Sequence, residues 1–208
     1  IKLGHVGRAV NQSEVRIADD GEILFKGPGV FCGYLNKPEQ TKETLIDGWL
    51  HTGDVGEMDN YGNIKITDRK KDIIITAGGK NISPSEIENE LKFSPFVSDA
   101  VVIGDKRKFL SCLIMIDEEN VMKYAQDNDI PFSNFESLCK SEEVVNLIDG
   151  EVSKVNKKFA SVEQVKKFSL IDIQLTAEDD ELTPTMKLKR KFINQKYSNI
   201  IENMYQSA

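Results

Sequence analysis

The chain has 208 residues, of which 39% are hydrophobic and 29% charged, so it is expected to fold as a globular protein of one or two domains. Its 27 basic and 34 acidic residues give a net charge of −7, which argues against nucleic acid as the main partner, because such binding requires a broad basic face. No apolar run approaches the roughly 18 residues of a membrane helix, and no signal peptide is visible. The sequence therefore predicts a cytoplasmic protein without a transmembrane segment and leaves peripheral contact with a membrane open.

The cysteines and histidines suggest neither a disulfide framework nor a metal site. Cys32, Cys112 and Cys139 are odd in number and lack C-x-x-C spacing, so reduced structural thiols are predicted. No other potential metal ligand stands at a metal-binding spacing from His5 or His51. His51 is expected to pack or hydrogen-bond beside the turn at 52–54. No residue pair reads as a nucleophile with its base.

The first part of the chain, residues 1–67, is predicted to consist of short strands. An alternating segment at 15–17 and an apolar segment at 23–25 flank Asp19-Asp20-Gly21, a pattern typical of a β-hairpin. A second pair of strands is predicted at 49–55 and 64–67. These strands are too few to close a barrel and would expose their edges, so we expect the C-terminal end of a larger β-rich domain. The chain starts at Ile1, and a C-terminal fragment of a longer protein is therefore predicted.

The second part, residues 68–208, alternates strands and helices and is predicted to be a small α+β domain. Ser83 is the expected N-cap of a helix, with Pro84 at its first position and Glu86 completing a capping box. Further strands are predicted at 73–75, 100–103, 110–116 and 168–173, and amphipathic helices at 144–159 and 193–204.

Four segments of the sequence carry chemistry. They are Gly29-Val30-Phe31-Cys32-Gly33-Tyr34 with Pro38-Glu39-Gln40-Thr41; Trp49-Leu50-His51-Thr52-Gly53-Asp54; Asp68-Arg69-Lys70-Lys71-Asp72 through Gly78-Gly79-Lys80; and Pro184-Thr185-Met186-Lys187. In this order and spacing they resemble the adenylate-forming superfamily of acyl-CoA synthetases, luciferases and peptide-synthetase adenylation domains. The segments at 68–72 and 182–190 look most like the long-chain fatty acid–CoA ligases.

The resemblance implies a reaction in two steps. A fatty acid carboxylate attacks the α-phosphate of Mg-ATP to give acyl-AMP, and the thiol of coenzyme A then takes the acyl group. Oxyanion charge develops first at phosphorus and then at the acyl carbon, so each step requires its own stabilising groups. The family meets this by rotating its small C-terminal domain against its N-terminal domain. That N-terminal part would hold most contacts to ATP and Mg²⁺ and the fatty-acyl tunnel, so the fragment alone is predicted to be inactive.

The resemblance also implies the nucleotide-binding residues. Asp54 would accept hydrogen bonds from the ribose hydroxyls, the alternative being a turn aspartate that caps its own backbone. Asp68 would be the hinge between the domains 1–67 and 68–208, the alternative being a solvated aspartate at a strand end. Arg69 would contact the nucleotide. Lys71 would reach phosphates or simply belong to a solvated basic turn, and these two interpretations stay open.

Three further residues fall in the glycine segment. Gly78 and Gly79 would line the channel for the pantetheine arm of coenzyme A, whereas the alternative is a plain glycine turn between strand and helix. Lys80 would contact a phosphate. Some relatives carry a lysine where this chain has Ile75, so Ile75 is given no role.

Lys187 is predicted to be the catalytic residue, because its ammonium can neutralise charge on several oxygens during adenylation. Lys189, Arg190 and Lys191, which follow it, are interpreted as a solvated basic helix start. A ligase for another carboxylate, or one that delivers acyl groups to acyl carrier protein, remains as an alternative. A non-catalytic binding module with the same fold is the alternative from another class.

Overall fold

The structure is a computed structural model that describes residues 2–172 and 189–206. The chain divides between Ile73 and Ile74 into two compact units. This division falls a few residues after Asp68. Placing the functional boundary at 67/68, with Asp68 as the hinge, remains a prediction.

The first unit is built on an antiparallel sheet. Its elements are β1 (Glu14–Ile17), β2 (Glu22–Lys26), α1 (Pro38–Thr44), β3 (Leu45–Ile46), β4 (Trp49–Met58) and β5 (Ile64–Arg69). The long strand β4 pairs with β2, β3 and β5, and β1 pairs with β2, which confirms both predicted strand pairs. Among the described residues of this unit, the buried hydrophobic side chains are Ile23, Leu24 and Ile64.

The second unit begins with a small hairpin of β6 (Ile74–Ile75) and β7 (Asn81–Ile82), followed by α2 (Pro84–Lys92). The helix starts where the sequence predicts, but the side-chain cap hydrogen bond expected of Ser83 is not formed. A three-stranded sheet follows in the order β10-β9-β8. Its strands are β8 (Val97–Ile103), β9 (Leu110–Ile116) and β10 (Val165–Leu170), with β8 antiparallel and β10 parallel to β9.

Helices surround this sheet. They are α3 (Glu118–Asp127), α4 (Phe135–Lys140), α5 (Glu142–Asn156), α6 (Arg190–Lys196) and α7 (Ser198–Gln206). All seven residues of β9 are buried, because side chains alternate between the two faces of a strand and both faces are covered. Cys112 and Ile114 join a core with residues of α2 and α5, whereas Leu113 and Met115 join a core with residues of α6 and α7. The α+β fold class is thus confirmed, and the domain is a three-layer arrangement.

The end of the chain differs from the prediction in one respect. The helix expected over 193–204 is two helices, α6 and α7, which separate at Tyr197. Ile193, Tyr197, Ile201 and Met204 nevertheless share one core, so their apolar spacing runs through the break. Periodicity alone therefore could not reveal it.

Candidate functional site

Asp54 and Arg69 lie opposite each other on the neighbouring strands β4 and β5. The Nη1 atom of Arg69 lies 2.9 Å from Oδ1 of Asp54 and also donates to the carbonyl oxygen of Thr52 at 3.4 Å. The Asp54 side chain is 30% exposed and that of Arg69 55%, so both can reach a ligand. A carboxylate held beside a guanidinium offers an acceptor for hydroxyl groups and a donor for phosphate oxygens within one site.

The turn that carries Asp54 is held by Thr52. The Thr52 hydroxyl donates to the carbonyl oxygen of Ile23 at 2.6 Å and accepts from the backbone N–H of Asp54 at 3.1 Å. Gly53 between them has φ +70°, a conformation that glycine adopts without steric cost. Thr52 supplies the local cap, which leaves the Asp54 carboxylate to Arg69.

Glu22, at the start of β2, is a buried carboxylate that sequence reasoning missed. It accepts hydrogen bonds from the backbone N–H of Gly53 at 2.9 Å, from Lys70 Nζ at 2.9 Å and, at 3.0 Å, from Nδ1 of His51 in the tautomer that carries the proton there. Burial alone would raise the pKa of Glu22, but these donors outweigh it and the pKa is lowered. The sequence signal that could have indicated Glu22 is a charged residue directly before the apolar run 23–25. The expected place of His51 beside the turn is confirmed.

Lys70, rather than Lys71, makes the ion pairs of the segment after β5. Its ammonium lies 2.7 Å from Asp20 and 2.9 Å from Glu22, and the hydrogen bonds to these carboxylates raise the pKa of Lys70. Lys71 occupies the following short 3₁₀ turn and is exposed. Asp68 is buried, and its Oδ1 accepts from the N–H of Arg69 at 2.7 Å, so the alternative of a solvated aspartate at this position is wrong.

Gly78, Gly79 and Lys80 form a tight turn between β6 and β7 in the second unit. Thr76 closes it, because its carbonyl oxygen accepts from the N–H of Gly79 at 2.8 Å and its hydroxyl accepts from the N–H of Lys80 at 3.2 Å. Gly79 has φ +77°, and a Cβ atom on Gly78 would meet only Thr76 Oγ1, at 3.9 Å. Both glycines are exposed, so the turn presents bare backbone to a ligand.

A helix does start at Arg190, but the prediction that this residue is solvated is wrong. Its side chain is 23% exposed, donates to Val102 O at 2.9 Å and pairs with Glu88 at 2.8 Å, as the first residue of α6. Lys189 is exposed, as expected. Lys187, the predicted catalytic residue, lies outside the described residues.

Neither a metal-binding cluster nor a membrane-spanning helix is found in the part of the chain that the structure describes. Residues 2–172 and 189–206 contain no group of three or more histidine, cysteine or acidic side chains able to hold a metal ion. Within the same ranges, none of the helices combines the length and the apolar character required to cross a bilayer.

Comparison with known proteins connects this geometry to a family. Residues 71–208 match the family described as the AMP-binding enzyme C-terminal domain. The chain is 40% identical over 206 residues to the long-chain-fatty-acid–CoA ligase FadD15 of Mycobacterium tuberculosis, covering 99% of this chain and 34% of that relative. It thus spans about a third of the length of this relative.

Solved structures show the same fold. The adenylation domain of a carboxylate reductase from Mycobacterium chelonae superimposes with a TM-score of 0.76 at 24% identity, over 96% of this chain and 31% of that one. O-succinylbenzoate coenzyme A synthetase of Bacillus subtilis, solved in complex with AMP, superimposes with a TM-score of 0.65 at 28% identity, over 91% of this chain and 35% of that one.

Proposed function

Because the chain belongs to the family of AMP-binding enzyme C-terminal domains, we propose that it is the C-terminal part of an AMP-forming long-chain fatty acid–CoA ligase. The observation that carries the proposal is the Asp54–Arg69 pair, a partly exposed carboxylate and an exposed guanidinium on two adjacent strands, within a chain 40% identical to such a ligase. Mg-ATP, a fatty acid and coenzyme A are the proposed substrates. The remainder of a longer polypeptide would hold Mg²⁺ and most of the triphosphate.

In the adenylation step, Asp54 accepts hydrogen bonds from the ribose hydroxyls and Arg69 contacts the nucleotide phosphate. The ammonium of Lys187 neutralises charge that develops on the carboxylate and α-phosphate oxygens as acyl-AMP forms. Lys71 and Lys80, both exposed, add phosphate contacts. The role of Asp54 is supported by the hydrogen bonds with which Thr52 and Glu22 hold the backbone N–H groups of Asp54 and Gly53.

In the thioester step, the turn at Gly78 and Gly79 takes over. Its exposed backbone lines the channel along which the pantetheine arm reaches acyl-AMP. In support, a Cβ atom on Gly79 would meet no atom within 4 Å, and one on Gly78 would meet only Thr76 Oγ1, at 3.9 Å. Rotation about Asp68 presents first the segment of Lys187 and then this turn. The ligase acts in the cytoplasm, with the acyl chain drawn from a membrane or from solution.

The test uses the full-length protein. ATP–pyrophosphate exchange is measured with a series of carboxylates that includes palmitate, hexanoate, benzoate and o-succinylbenzoate, and acyl products are sought on coenzyme A and on acyl carrier protein. We expect exchange to be fastest with the long-chain acid and the product to be the coenzyme A thioester. Exchange only with a short or aromatic acid would establish a ligase for another carboxylate. Absence of exchange with every acid, together with retained nucleotide binding, would establish a binding module.

A further inference from the structure

The turn between β8 and β9 carries three consecutive basic residues, Lys106, Arg107 and Lys108. Lys106 has φ +57°, the left-handed conformation of a tight turn. Nearby, Lys167 of β10 lies with its ammonium 6.0 Å from the ring centroid of Phe109. The acidic groups at the turn are fewer, namely Asp105 within it and Glu202 on α7 beside it.

This basic turn is fastened to the turn that contains Gly78 and Gly79. The N–H of Lys106 donates to the carbonyl oxygen of Ile75 at 2.8 Å, and the N–H of Ala77 donates to the carbonyl oxygen of Arg107 at 2.9 Å. The Asp105 carboxylate adds a third bond by accepting from the N–H of Ile75 at 3.3 Å. Hydrogen bonds to the two residues Ile75 and Ala77, just before the glycine turn, thus fix the basic residues next to it.

The three basic side chains have different surroundings. Arg107 pairs with Glu202, and its guanidinium lies 4.7 Å from the ring centroid of Tyr205, so it anchors the turn to α7. Lys106 and Lys108 are exposed, and within the described parts of the chain their ammonium groups have no carboxylate partner. Two cations are therefore available to an anion that passes the glycine turn.

We infer that Lys106 and Lys108 bind the phosphate groups of coenzyme A while its pantetheine arm runs along Gly78 and Gly79. The inference rests on the proposed function, which brings coenzyme A to that turn. Coenzyme A carries a diphosphate and a 3′-phosphate at the end opposite its thiol. Ammonium groups on long side chains suit such oxygens, since they act as point charges without a fixed approach geometry. The residues would set affinity for the acceptor and would take no part in adenylation.

The test compares the full-length wild type with Lys106→Gln/Lys108→Gln, using coenzyme A and dephospho-coenzyme A as acceptors. For the variant we expect KM for coenzyme A to rise roughly tenfold, with kcat and ATP–pyrophosphate exchange unchanged. The rise should be smaller with dephospho-coenzyme A, which lacks the 3′-phosphate. Added salt should narrow the difference between variant and wild type, because screening weakens exposed charge contacts.

The matched control is Lys123→Gln/Lys157→Gln, which removes the same charge from exposed positions on α3 and at the end of α5. It should leave KM for coenzyme A unchanged, and an equal rise in this control would overturn the inference in favour of a general charge effect. An unchanged KM for coenzyme A in the Lys106/Lys108 variant of an active ligase would also overturn it, whether or not the variant loses binding to anionic vesicles. If the wild type shows no ligase activity at all, it is the proposed function that fails.

Discussion

The guanidinium of Arg190 closes a ring with the carboxylate of Glu88 in the second unit. Arg190 Nη2 lies 2.8 Å from Glu88, the carboxylate accepts from the N–H of Val102 at 2.7 Å, and Val102 O accepts from Arg190 Nη1 at 2.9 Å. Helix α2, strand β8 and the start of α6 are joined in this way. Arg190 follows Lys187 by three positions in the sequence. The ring therefore fixes the chain at a residue close to Lys187.

The first prediction is that Glu88→Gln and Arg190→Gln each lower the free energy of unfolding by roughly 3 kcal/mol, since each removes the ion pair between two largely buried side chains. The double variant should lose less than the sum of the two. Urea unfolding of the four proteins measures this coupling. Glu90→Gln is the matched control on the same helix, where the exposed pair with Lys158 contributes at most about 1 kcal/mol. Strictly additive losses would contradict the ring.

The two glycines of the β6–β7 turn should respond differently to alanine. Gly79→Ala forces an alanine into φ +77° and should cost roughly 1 kcal/mol of stability, whereas Gly78→Ala meets only Thr76 Oγ1 at 3.9 Å and should leave Tm unchanged. In the full-length protein, Gly78→Ala should nevertheless slow thioester formation from supplied acyl-AMP, because its methyl group would narrow the proposed pantetheine channel. Calorimetry and single-turnover rates provide the two readouts. Normal thioester formation in Gly78→Ala would remove Gly78 from the channel.

The buried carboxylate of Glu22 should make the first unit sensitive to acid. Glu22→Gln should reduce stability at pH 7 by about 1–2 kcal/mol, through loss of the charged hydrogen bonds to Lys70 and His51. Because folding lowers the pKa of Glu22, its contribution is present above the pKa of an unfolded glutamate and is lost as the pH falls through the lower folded value. The difference in unfolding free energy between wild type and Glu22→Gln should therefore disappear below about pH 4.

The single tryptophan, Trp49 on β4, reports this unfolding by fluorescence. Glu57→Gln, at an exposed position on the same strand, is the control and should be neutral at every pH. A difference in unfolding free energy between wild type and Glu22→Gln that stays constant from pH 7 to pH 3 would show that folding does not lower the pKa of Glu22.

The cysteines should differ sharply in reactivity. Cys32 is exposed, whereas burial raises the pKa of Cys139 to about 12 and that of Cys112 well above its ordinary range. Since the thiolate is the reacting form, a thiol reagent at pH 8 should modify one group quickly in the native chain and three in denaturant. Cys32→Ser should abolish the fast reaction, and a second fast thiol would mean that the β9 or α4 core opens readily.

Sequence reasoning succeeded where the pattern is local. The hairpin of β1 and β2, the buried strands β8 and β9 and the amphipathic helix α5 all follow from alternation or helical spacing of apolar residues. Short helices with mostly polar surfaces, such as α1 and α3, carry too weak a pattern and were not predicted.

The candidate site was predictable only as far as motifs identify residues. Asp54 and Arg69 were chosen by resemblance, and their pairing across two strands emerges from the fold. Glu22 and Lys70 are 48 positions apart, and Glu88 and Arg190 are 102 apart, so no local pattern connects either pair. Such polar partners depend on tertiary packing, and for that reason Arg190 was mistaken for a solvated residue.

The last prediction separates Lys187 from its basic neighbour Lys189. In the full-length protein, Lys187→Ala should slow acyl-AMP formation by a factor on the order of a hundred to a thousand, the loss typical of one preorganised charge contact. Thioester formation from supplied acyl-AMP should be largely spared, because in the proposed mechanism the turn at Gly78 and Gly79, and not Lys187, serves that step. Lys189 is exposed at the N-cap of α6, so Lys189→Ala should affect neither step much. Quench-flow measurement of both half-reactions decides: equal losses in the two steps, or a Lys189 effect as large as that of Lys187, would falsify the assignment.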